Sequence, residues 1–369
     1  GLPFPVMMRM SMGLNGARYF SLLRSIVGIF MFGIQTYFLS KAFSYLIRIF
    51  IFNFEPSILD QEIFLIFLLG LNIIDWTSIV LTIIFQTFLF SSGMTFNKSF
   101  IKFSAITVYL GILLFFFSIF LSDVKLYSNA FIFSLNLDNF TDKNNLIPLI
   151  SVAGTIFAYF SIVILSFGDF TRYVKDKNEL KKGNLSLILT LIIFSFLALF
   201  IVIGIDTLFK QNSQNLPRIL TNPTDIIGSL DNILITNLAL IFIIIASAST
   251  NLIANFIPSQ YTLINFVPSS LTLKSSSIII SSLGFLVGIF WLTYLSQIGI
   301  LSFIDTFGAF FGPLFGVMVS DFYFIQKGKL QNKDIYSLEN NGAYHYSGGW
   351  HIKGVYSILI GFIFSASTI

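Results

Sequence analysis

Long apolar runs separated by short polar segments extend over the whole chain. A helix that crosses a membrane needs about 20 predominantly apolar residues, and nine runs approach or exceed that length. We therefore predict spanning helices at 20–45, 76–93, 103–122, 148–168, 185–205, 232–256, 276–295, 299–325 and 355–369. The pattern favours one all-α transmembrane domain over residues 1–369.

Two segments do not follow this pattern. Residues 62–74 are apolar but too short to span comfortably, and they end at Asp75 and Trp76, so we predict an interfacial or re-entrant segment. Residues 1–19 are predicted to form a loop. The chain begins at Gly1 rather than Met and stops within an apolar run at Ile369, so we expect it to be truncated at both ends.

Composition agrees with a membrane environment. The chain is 55% hydrophobic and 10% charged, with a mean hydropathy of +0.86, whereas about 25% of residues in soluble domains are charged. With alternating spans, most Lys and Arg residues, including those at 172–182 and 327–333, lie on the same side as residues 1–19. The positive-inside rule makes this side cytoplasmic. We therefore predict a multi-pass protein of the cytoplasmic (inner) membrane.

A polar stripe interrupts the apolar run IIIASASTNLIAN at 243–255. Ala246, Ser249 and Thr250 stand at i, i+3 and i+4, so they share one helical face. Oxygen ligands at this spacing suit a dehydrated cation such as Na⁺. Small and hydroxylated residues also form close contacts between membrane helices, and the stripe alone does not decide between the two roles.

Two further polar residues lie within apolar spans. Gln35 lies in IFMFGIQTYF, and its planar amide could pair with a heterocycle edge or with a neighbouring helix. Asp305 lies about six residues into a span and could relay protons or face water near the outer end of its helix. The sequence contains no Cys, phosphate-binding Gly-rich loop, paired catalytic carboxylates or nucleophile with an adjacent base, so we predict that it is not an enzyme.

Five segments in order resemble the nucleobase:cation symporter family, which contains hydantoin, allantoin, uracil and cytosine permeases. They are GLPFPVMMRMSMGLNGA, LLRSIVGIFMFGIQTYF, SFGDFTRYVK, ASASTNLIAN, and GPLFGVMVSDFYFIQKGKL with YHYSGGWHIKG. The resemblance covers nearly the whole chain and implies two inverted five-helix repeats. By this alignment the chain holds helices three to eleven of twelve.

The resemblance also implies site residues. Gln35 and Asn255 match substrate ligands, and Ala246, Ser249 and Thr250 match sodium ligands with unchanged spacing. Asn251 lies one turn before Asn255 and could substitute for it. In an ideal α-helix, Asn255 lies about 140° round from Thr250 and roughly 7.5 Å along the axis, so one helix could serve two adjacent sites.

Two positions depart from the family pattern. Met31 and Phe160 stand where many members have Trp residues that stack on the ligand ring. Met can contact a ring face through its thioether and Phe retains a π-face. These changes bear on the identity of the ligand more than on its class.

The sequence thus predicts cation symport, with Na⁺ as coupling ion, of a nucleobase, hydantoin or allantoin-like heterocycle. The protein is expected to be a monomer in the lipid bilayer, with no cofactor and no nucleic-acid partner. One alternative is a proton-coupled nucleobase permease. Another is a non-transporting membrane remnant or scaffold.

Overall fold

The computed structural model describes residues 1–122, 142–211, 227, 233–331 and 333–366. Regular structure within them is helical, apart from two isolated antiparallel bridges, Leu68 to Leu71 and Ser347 to Trp350. Residue 232 and residues 367–369 of the predicted spans lie outside this part of the chain.

Twelve α-helices are numbered here in chain order. They are α1 Phe4–Phe54, α2 Glu62–Leu65, α3 Ile73–Ser91, α4 Met94–Ser122, α5 Lys143–Leu165, α6 Phe167–Thr171, α7 Lys177–Gln211, α8 Ile233–Asn251, α9 Ile257–Phe266, α10 Leu273–Trp291, α11 Ile300–Ser320 and α12 Ile352–Ala366. A π-helical turn, Leu252–Phe256, joins α8 to α9, and a second one, Asp321–Ile325, extends α11.

The long helices coincide with the apolar runs. Within the described residues, eight helical segments are long and apolar enough to cross a membrane. Helix α12, in the last predicted span, is apolar but has 15 described residues. The chain is therefore a multi-pass, all-α integral membrane protein.

The predicted loop at 1–19 is wrong. Residues from Phe4 onwards are helical, and the interruption is confined to Gly13, whose φ of 79° lies in the left-handed region. A Cβ on Gly13 would lie 2.5 Å from the carbonyl oxygen of Gly349. Only glycine permits both this conformation and this approach. Alternate buried residues, Met8, Met10 and Met12, stabilise the segment.

Local capping moves two helix starts away from the predicted boundaries. Helix α10 begins at Leu273, three residues early, because Thr272 and Ser275 form a reciprocal capping box. Helix α3 begins at Ile73, where the side chain of Asn72 accepts the backbone N–H of Asp75 at 3.0 Å. The short helix α2 and the Leu68 to Leu71 bridge occupy the segment 62–74.

The chain forms two compact units. Unit 1 comprises Gly1–Gly33, Asn136–Lys175 and Leu252–Ile369. Its helix α11 packs on α5 and α12. A Cβ on Gly308 of α11 would clash with Ala158 of α5, and a Cβ on Gly33 of α1 would lie 2.6 Å from the carbonyl oxygen of Gly284 in α10. Glycine at these positions allows the helix backbones to approach closely.

Unit 2 comprises Ile34–Leu135 and Asp176–Asn251. Helix α4 packs on α7 and α8, and the ring of Phe242 lies against Gly111. Leu39 and Ala42 of α1 form one buried cluster with Leu240 of α8. Two of the boundaries between the units fall within or at the end of helices, after Gly33 in α1 and after Asn251 at the end of α8.

Candidate functional site

Buried amides and hydroxyls connect three helices of unit 2. The side chain of Asn251 in α8 is fully buried and donates to Thr36 Oγ1 of α1 at 3.3 Å. Thr36 in turn donates to Gln86 Oε1 of α3 at 2.8 Å. Neighbouring Gln35 is half-buried and donates to the Ser247 carbonyl at 3.2 Å. The structure therefore brings Gln35 and Asn251 to the same pair of packed helices.

The three predicted sodium ligands converge on α8 in the same unit. The hydroxyls of Ser249 and Thr250 both donate to the carbonyl oxygen of Ala246, each at 2.9 Å. Ser249 is buried and Thr250 is exposed. Three oxygen atoms thus meet on one helical face, and Thr250 is the exposed residue among those that supply them.

Asn255 lies in unit 1, in the π-helical turn Leu252–Phe256, and its side chain is buried. The turn explains why the ideal α-helical spacing from Thr250 to Asn255 is wrong, because a π-turn contains an extra residue. Pro258 lies two residues after the turn. Proline has no backbone N–H, so it cannot donate to the carbonyl of Ala254, four residues earlier.

The predicted ring-contacting residues, Met31 and Phe160, also belong to unit 1. Met31 of α1 is buried, and the adjacent Phe32 packs on Phe256 of the π-turn with ring centroids 5.5 Å apart. Phe160 of α5 is half-buried and makes an edge-to-face contact with Tyr159 at 5.6 Å. The segment of α1 that carries Met31 therefore contacts the turn that carries Asn255.

Sequence reasoning gave no role to Arg24, the largest fully buried side chain among the described residues. Its Nε donates to Ser166 Oγ at 3.2 Å, and its Nη2 donates to the Ala254 carbonyl at 2.9 Å. Two signals could have identified this contact. An arginine within an apolar run is costly unless it is engaged, and Pro258 predicts an orphaned carbonyl at Ala254.

Asp169, in helix α6, is also buried. It accepts the backbone N–H of Phe4 at 3.0 Å. Burial raises the pKa of this carboxyl to about 6, although the Phe4 hydrogen bond and the charges of Arg24 and Arg172 oppose the rise. Arg172 itself packs over the rings of Tyr173 and Tyr261, at 4.8 and 4.3 Å from their centroids.

A large cavity lies within unit 1, between α5, α11 and α12. Its volume is about 1380 Å³, and its lining includes the two acidic residues Asp305 and Asp321. Asp305 is half-buried there, whereas Asp321 is buried and accepts the hydroxyl of Ser11 at 3.0 Å. Of the two carboxylates, Asp305 is the more accessible from the cavity.

The loop before α12 holds the bend of α1. His351 donates from Nδ1 to the carbonyl of Ser11 at 2.8 Å, and its ring stacks on Tyr346 at 4.2 Å. Asn15 donates from its backbone and its side chain to the Gly349 and Gly348 carbonyls, at 2.7 and 2.9 Å. Among the described residues, no group of three or more His, Cys, Asp or Glu side chains could hold a metal ion.

Comparison with known families decides the identity. The family model described as "Permease for cytosine/purines, uracil, thiamine, allantoin" matches residues 1–368. The chain belongs to this family. The family consists of permeases, so the chain is a transporter-family protein and not an enzyme.

Characterised relatives agree with this assignment. A purine-uracil permease of Arabidopsis thaliana is 25% identical over 98% of the chain and 58% of the relative. An allantoin permease of Bacillus subtilis is 28% identical over 99% of the chain and 71% of the relative, and a putative allantoin permease of Escherichia coli is 26% identical over 99% and 72%. The chain thus spans between about three fifths and three quarters of these relatives.

Two solved structures of the transporter Mhp1 share the fold. An inward-facing structure gives a TM-score of 0.63 at 17% identity, covering 99% of this chain and 76% of Mhp1. A closed structure with bromovinylhydantoin bound gives 0.64 at 19% identity, covering 98% and 76%. At this identity the similarity establishes the transporter fold, as the resemblance in sequence predicted.

Proposed function

We propose that the protein is a secondary active transporter that couples inward Na⁺ movement to uptake of a nucleobase, hydantoin or allantoin-like heterocycle. Membership of the permease family supports transport of a small nitrogen-containing ring or ureide. The observation that carries the sodium assignment is the convergence of the Ser249 and Thr250 hydroxyls on the Ala246 carbonyl.

The chemistry of these three oxygens fits a cation. Each hydroxyl has two lone pairs and a hydrogen that can rotate, and the carbonyl has two lone pairs. If the hydroxyl hydrogens turn away, the same oxygens present a partial coordination shell. Transporters of this architecture commonly use carbonyls near unwound helix segments for coupling ions, and the π-turn begins two residues after Thr250.

For the heterocycle, the proposal assigns the amide of Gln35 and the amide of Asn255 to hydrogen bonding. Amides suit this role because each offers both donors and an acceptor to a ring edge. Met31 and Phe160 are assigned to contacts with the two faces of the heterocycle ring. Asn251 is retained as a secondary candidate, since its full burial and its bond to Thr36 support a role in joining helices.

Proton coupling is the second candidate, and the position of Asp305 favours it. This half-buried carboxylate lines the cavity of about 1380 Å³ in unit 1. Ionisable groups within membrane spans are commonly part of ion or proton pathways. Sodium remains the preferred ion because its three proposed ligands are already grouped on α8.

The proposal places the protein in the cytoplasmic membrane with the basic loops at 172–182 and 327–333 inside. It treats the functional unit as a monomer with no further cofactor. The membrane location rests on the charge distribution.

Uptake into proteoliposomes tests the proposed function. Radiolabelled uracil, cytosine, allantoin and hydantoin are each supplied with an inward Na⁺ gradient, with an inward proton gradient, or with neither. Sodium-driven accumulation of one of these compounds is expected. Accumulation driven by protons alone would assign the coupling to H⁺, and no accumulation of any compound would support a non-transporting remnant or scaffold.

A further inference from the structure

The guanidinium of Arg24 is buried in unit 1 among three elements of the fold. Through Nε it binds Ser166, the residue between α5 and α6, and through Nη2 it binds the carbonyl of Ala254 in the π-turn. No hydrogen-bond partner for Nη1 occurs among the described residues. A buried guanidinium with an incomplete set of partners destabilises the fold unless its remaining contacts compensate, so these contacts indicate a specific role.

The Ala254 carbonyl lacks its α-helical donor and accepts a hydrogen bond from Arg24. In an α-helix this carbonyl would accept the N–H of residue 258, but that residue is Pro258 and has no N–H. The Ala254 carbonyl is part-buried, and a carbonyl without a donor is costly in a medium that lacks water. The 2.9 Å bond from Arg24 therefore takes the place of the missing bond at the irregular turn next to Asn255.

Close packing directs the guanidinium towards this turn. A Cβ on Gly28, one turn after Arg24, would lie 2.5 Å from Nη1 and would clash with Ser259 Oγ. The same Cβ would lie 3.2 Å from the backbone oxygen of Asn255. One turn of α1 thus packs directly on the backbone that carries Asn255, and Ser25 reinforces the contact by donating to the Ser259 carbonyl at 3.1 Å.

We propose that Arg24 is a positioning residue for the substrate site. Its guanidinium supplies the donor that Pro258 lacks and holds the π-turn in the conformation that presents Asn255. The same side chain ties this turn to the end of α5, the helix that carries Phe160. The inference rests on the proposed function only in taking Asn255 and Phe160 as substrate contacts; the contact between Arg24 and the turn is independent of it.

The charge of Asp169 supports this arrangement. Its carboxylate acts electrostatically on Arg24 within unit 1 and is fixed by the backbone N–H of Phe4. A counter-charge lowers the cost of burying the guanidinium. The nearby negative charge therefore favours a charged guanidinium, which is a strong, charge-assisted donor to the Ala254 carbonyl.

A single-cysteine reporter tests the contact without any substrate. The sequence contains no Cys, so Ala254→Cys in the full chain gives one thiol in the π-turn, whose labelling by a membrane-permeant maleimide reports opening of the turn. Arg24→Gln should raise the labelling rate about tenfold, the effect of losing a hydrogen bond to a charged group. Arg24→Lys should restore part of the protection. The control Arg18→Gln, at an exposed site on the same helix, should leave the rate unchanged.

The decisive comparison adds Pro258→Ala, which restores a backbone N–H at residue 258. In that background Arg24→Gln should change the labelling rate by less than about twofold, because the Ala254 carbonyl has a new donor. The proposal would be overturned if Arg24→Gln raised the labelling rate as much in the Pro258→Ala background as in the protein that keeps Pro258. It would also be overturned if Arg24→Gln had no effect in the protein that keeps Pro258. If Arg24→Gln alone fails to fold, recovery of folding in the double variant supports the proposal and failure to recover contradicts it.

Binding measurements separate this inference from the proposed function. With uracil and allantoin as probes, Arg24→Gln should raise the Kd of a bound compound, and Pro258→Ala should reduce that increase. If the π-turn is protected from labelling but the protein binds neither compound, the proposed function is refuted. The inferred contact between Arg24 and the turn is then retained. Normal substrate affinity in an Arg24→Gln protein with a labile turn would refute the positioning role.

Discussion

The side-chain amide of Gln35 donates to the backbone carbonyl of Ser247 at 3.2 Å. This bond joins α1 to the start of the polar stripe in α8, one residue after Ala246. The amide that we assign to the heterocycle therefore lies beside the helix that carries the proposed sodium ligands.

Removing the proposed amide ligands should weaken heterocycle binding. Gln35→Ala and Asn255→Ala should each raise the Kd by roughly five- to 150-fold, since one good buried hydrogen bond contributes about 1–3 kcal/mol. Isothermal titration of purified protein with the best compound of the panel measures the effect.

Gln86→Ala is the matched control, because this buried amide accepts a hydrogen bond from Thr36 and has no proposed ligand contact. The variant should lower the stability of the protein and leave the Kd within about twofold of the parent value. Near-normal affinity in both test variants would remove the assignment.

Restoring aromatic area at residue 31 should tighten binding of planar compounds. Aromatic contacts contribute roughly 0.5–1.5 kcal/mol beyond burial, so Met31→Trp should lower the Kd by a few-fold. Met31→Phe introduces a smaller ring at this buried position. Comparison of the two variants shows whether overpacking limits the affinity of the Trp variant. Unchanged affinity and selectivity in two well-folded variants would mean that residue 31 packs only against protein.

Removing the paired hydroxyls should abolish the dependence on sodium. Ser249→Ala combined with Thr250→Ala deletes two of the three oxygens that converge on α8. Substrate affinity in the double variant should no longer respond to Na⁺ at fixed ionic strength. Ser247→Ala, in the same helix and outside the proposed ligand set, should retain the response. A double variant that loses thermal stability but keeps its full sodium response would show that the hydroxyls only pack helices.

The buried carboxyl of Asp169 should make stability depend on pH. Its folded pKa of about 6 lies above the ordinary value of 3.8, so the folded state binds this proton more tightly than the unfolded state. Below about pH 4 both states are protonated and the burial penalty is absent. As pH rises from about 4 to 6 the penalty develops, and it reaches the order of 2–3 kcal/mol above pH 6.

Asp169→Asn should therefore remove this decline, so its unfolding temperature should change less between pH 4 and 7.5 than that of the parent. The readout is the pH dependence and not the absolute stability, because the variant also loses the counter-charge to Arg24. The amide oxygen can still accept the Phe4 N–H, so the local hydrogen bond is retained. Thermal unfolding in detergent between pH 4 and 7.5 measures the difference, with Asp60→Asn at an exposed site as control. Parallel curves for the parent and Asp169→Asn would contradict a raised pKa.

The length of the apolar runs predicted the helices because the bilayer requires long apolar segments whose backbone bonds are satisfied internally. It did not predict their ends, which depend on local hydrogen bonds such as the Thr272 and Ser275 capping box. The helical start of the chain was missed for a related reason. The left-handed conformation of Gly13 bends a helix that tertiary contacts with Gly349 stabilise, and the local sequence does not encode those contacts.

In the candidate site, as in the fold, regular helical positions were predicted from the sequence and tertiary contacts were not. Spacing alone placed Ala246, Ser249 and Thr250 on one face, and this holds because α8 is regular there. Spacing failed beyond Asn251, where Pro258 removes a donor and a π-turn forms. Arg24 was missed because its partners, Ser166 and Ala254, are 142 and 230 residues distant in sequence. No local pattern encodes such a contact, although a charge within an apolar run indicates that a partner exists.

Reciprocal titration of substrate and sodium tests the central claim most directly. The Kd of the heterocycle that binds most tightly is measured over a range of Na⁺ concentrations at fixed ionic strength. The Kd of Na⁺ is measured with and without that compound. The heterocycle titration is then repeated over a range of pH in the absence of Na⁺. Coupled binding requires that each ligand raise the affinity of the other by the same factor. The account predicts equal factors of about five or more and little response to pH. A response to pH alone, with no effect of Na⁺ on substrate affinity, would contradict sodium coupling and transfer that role to protons.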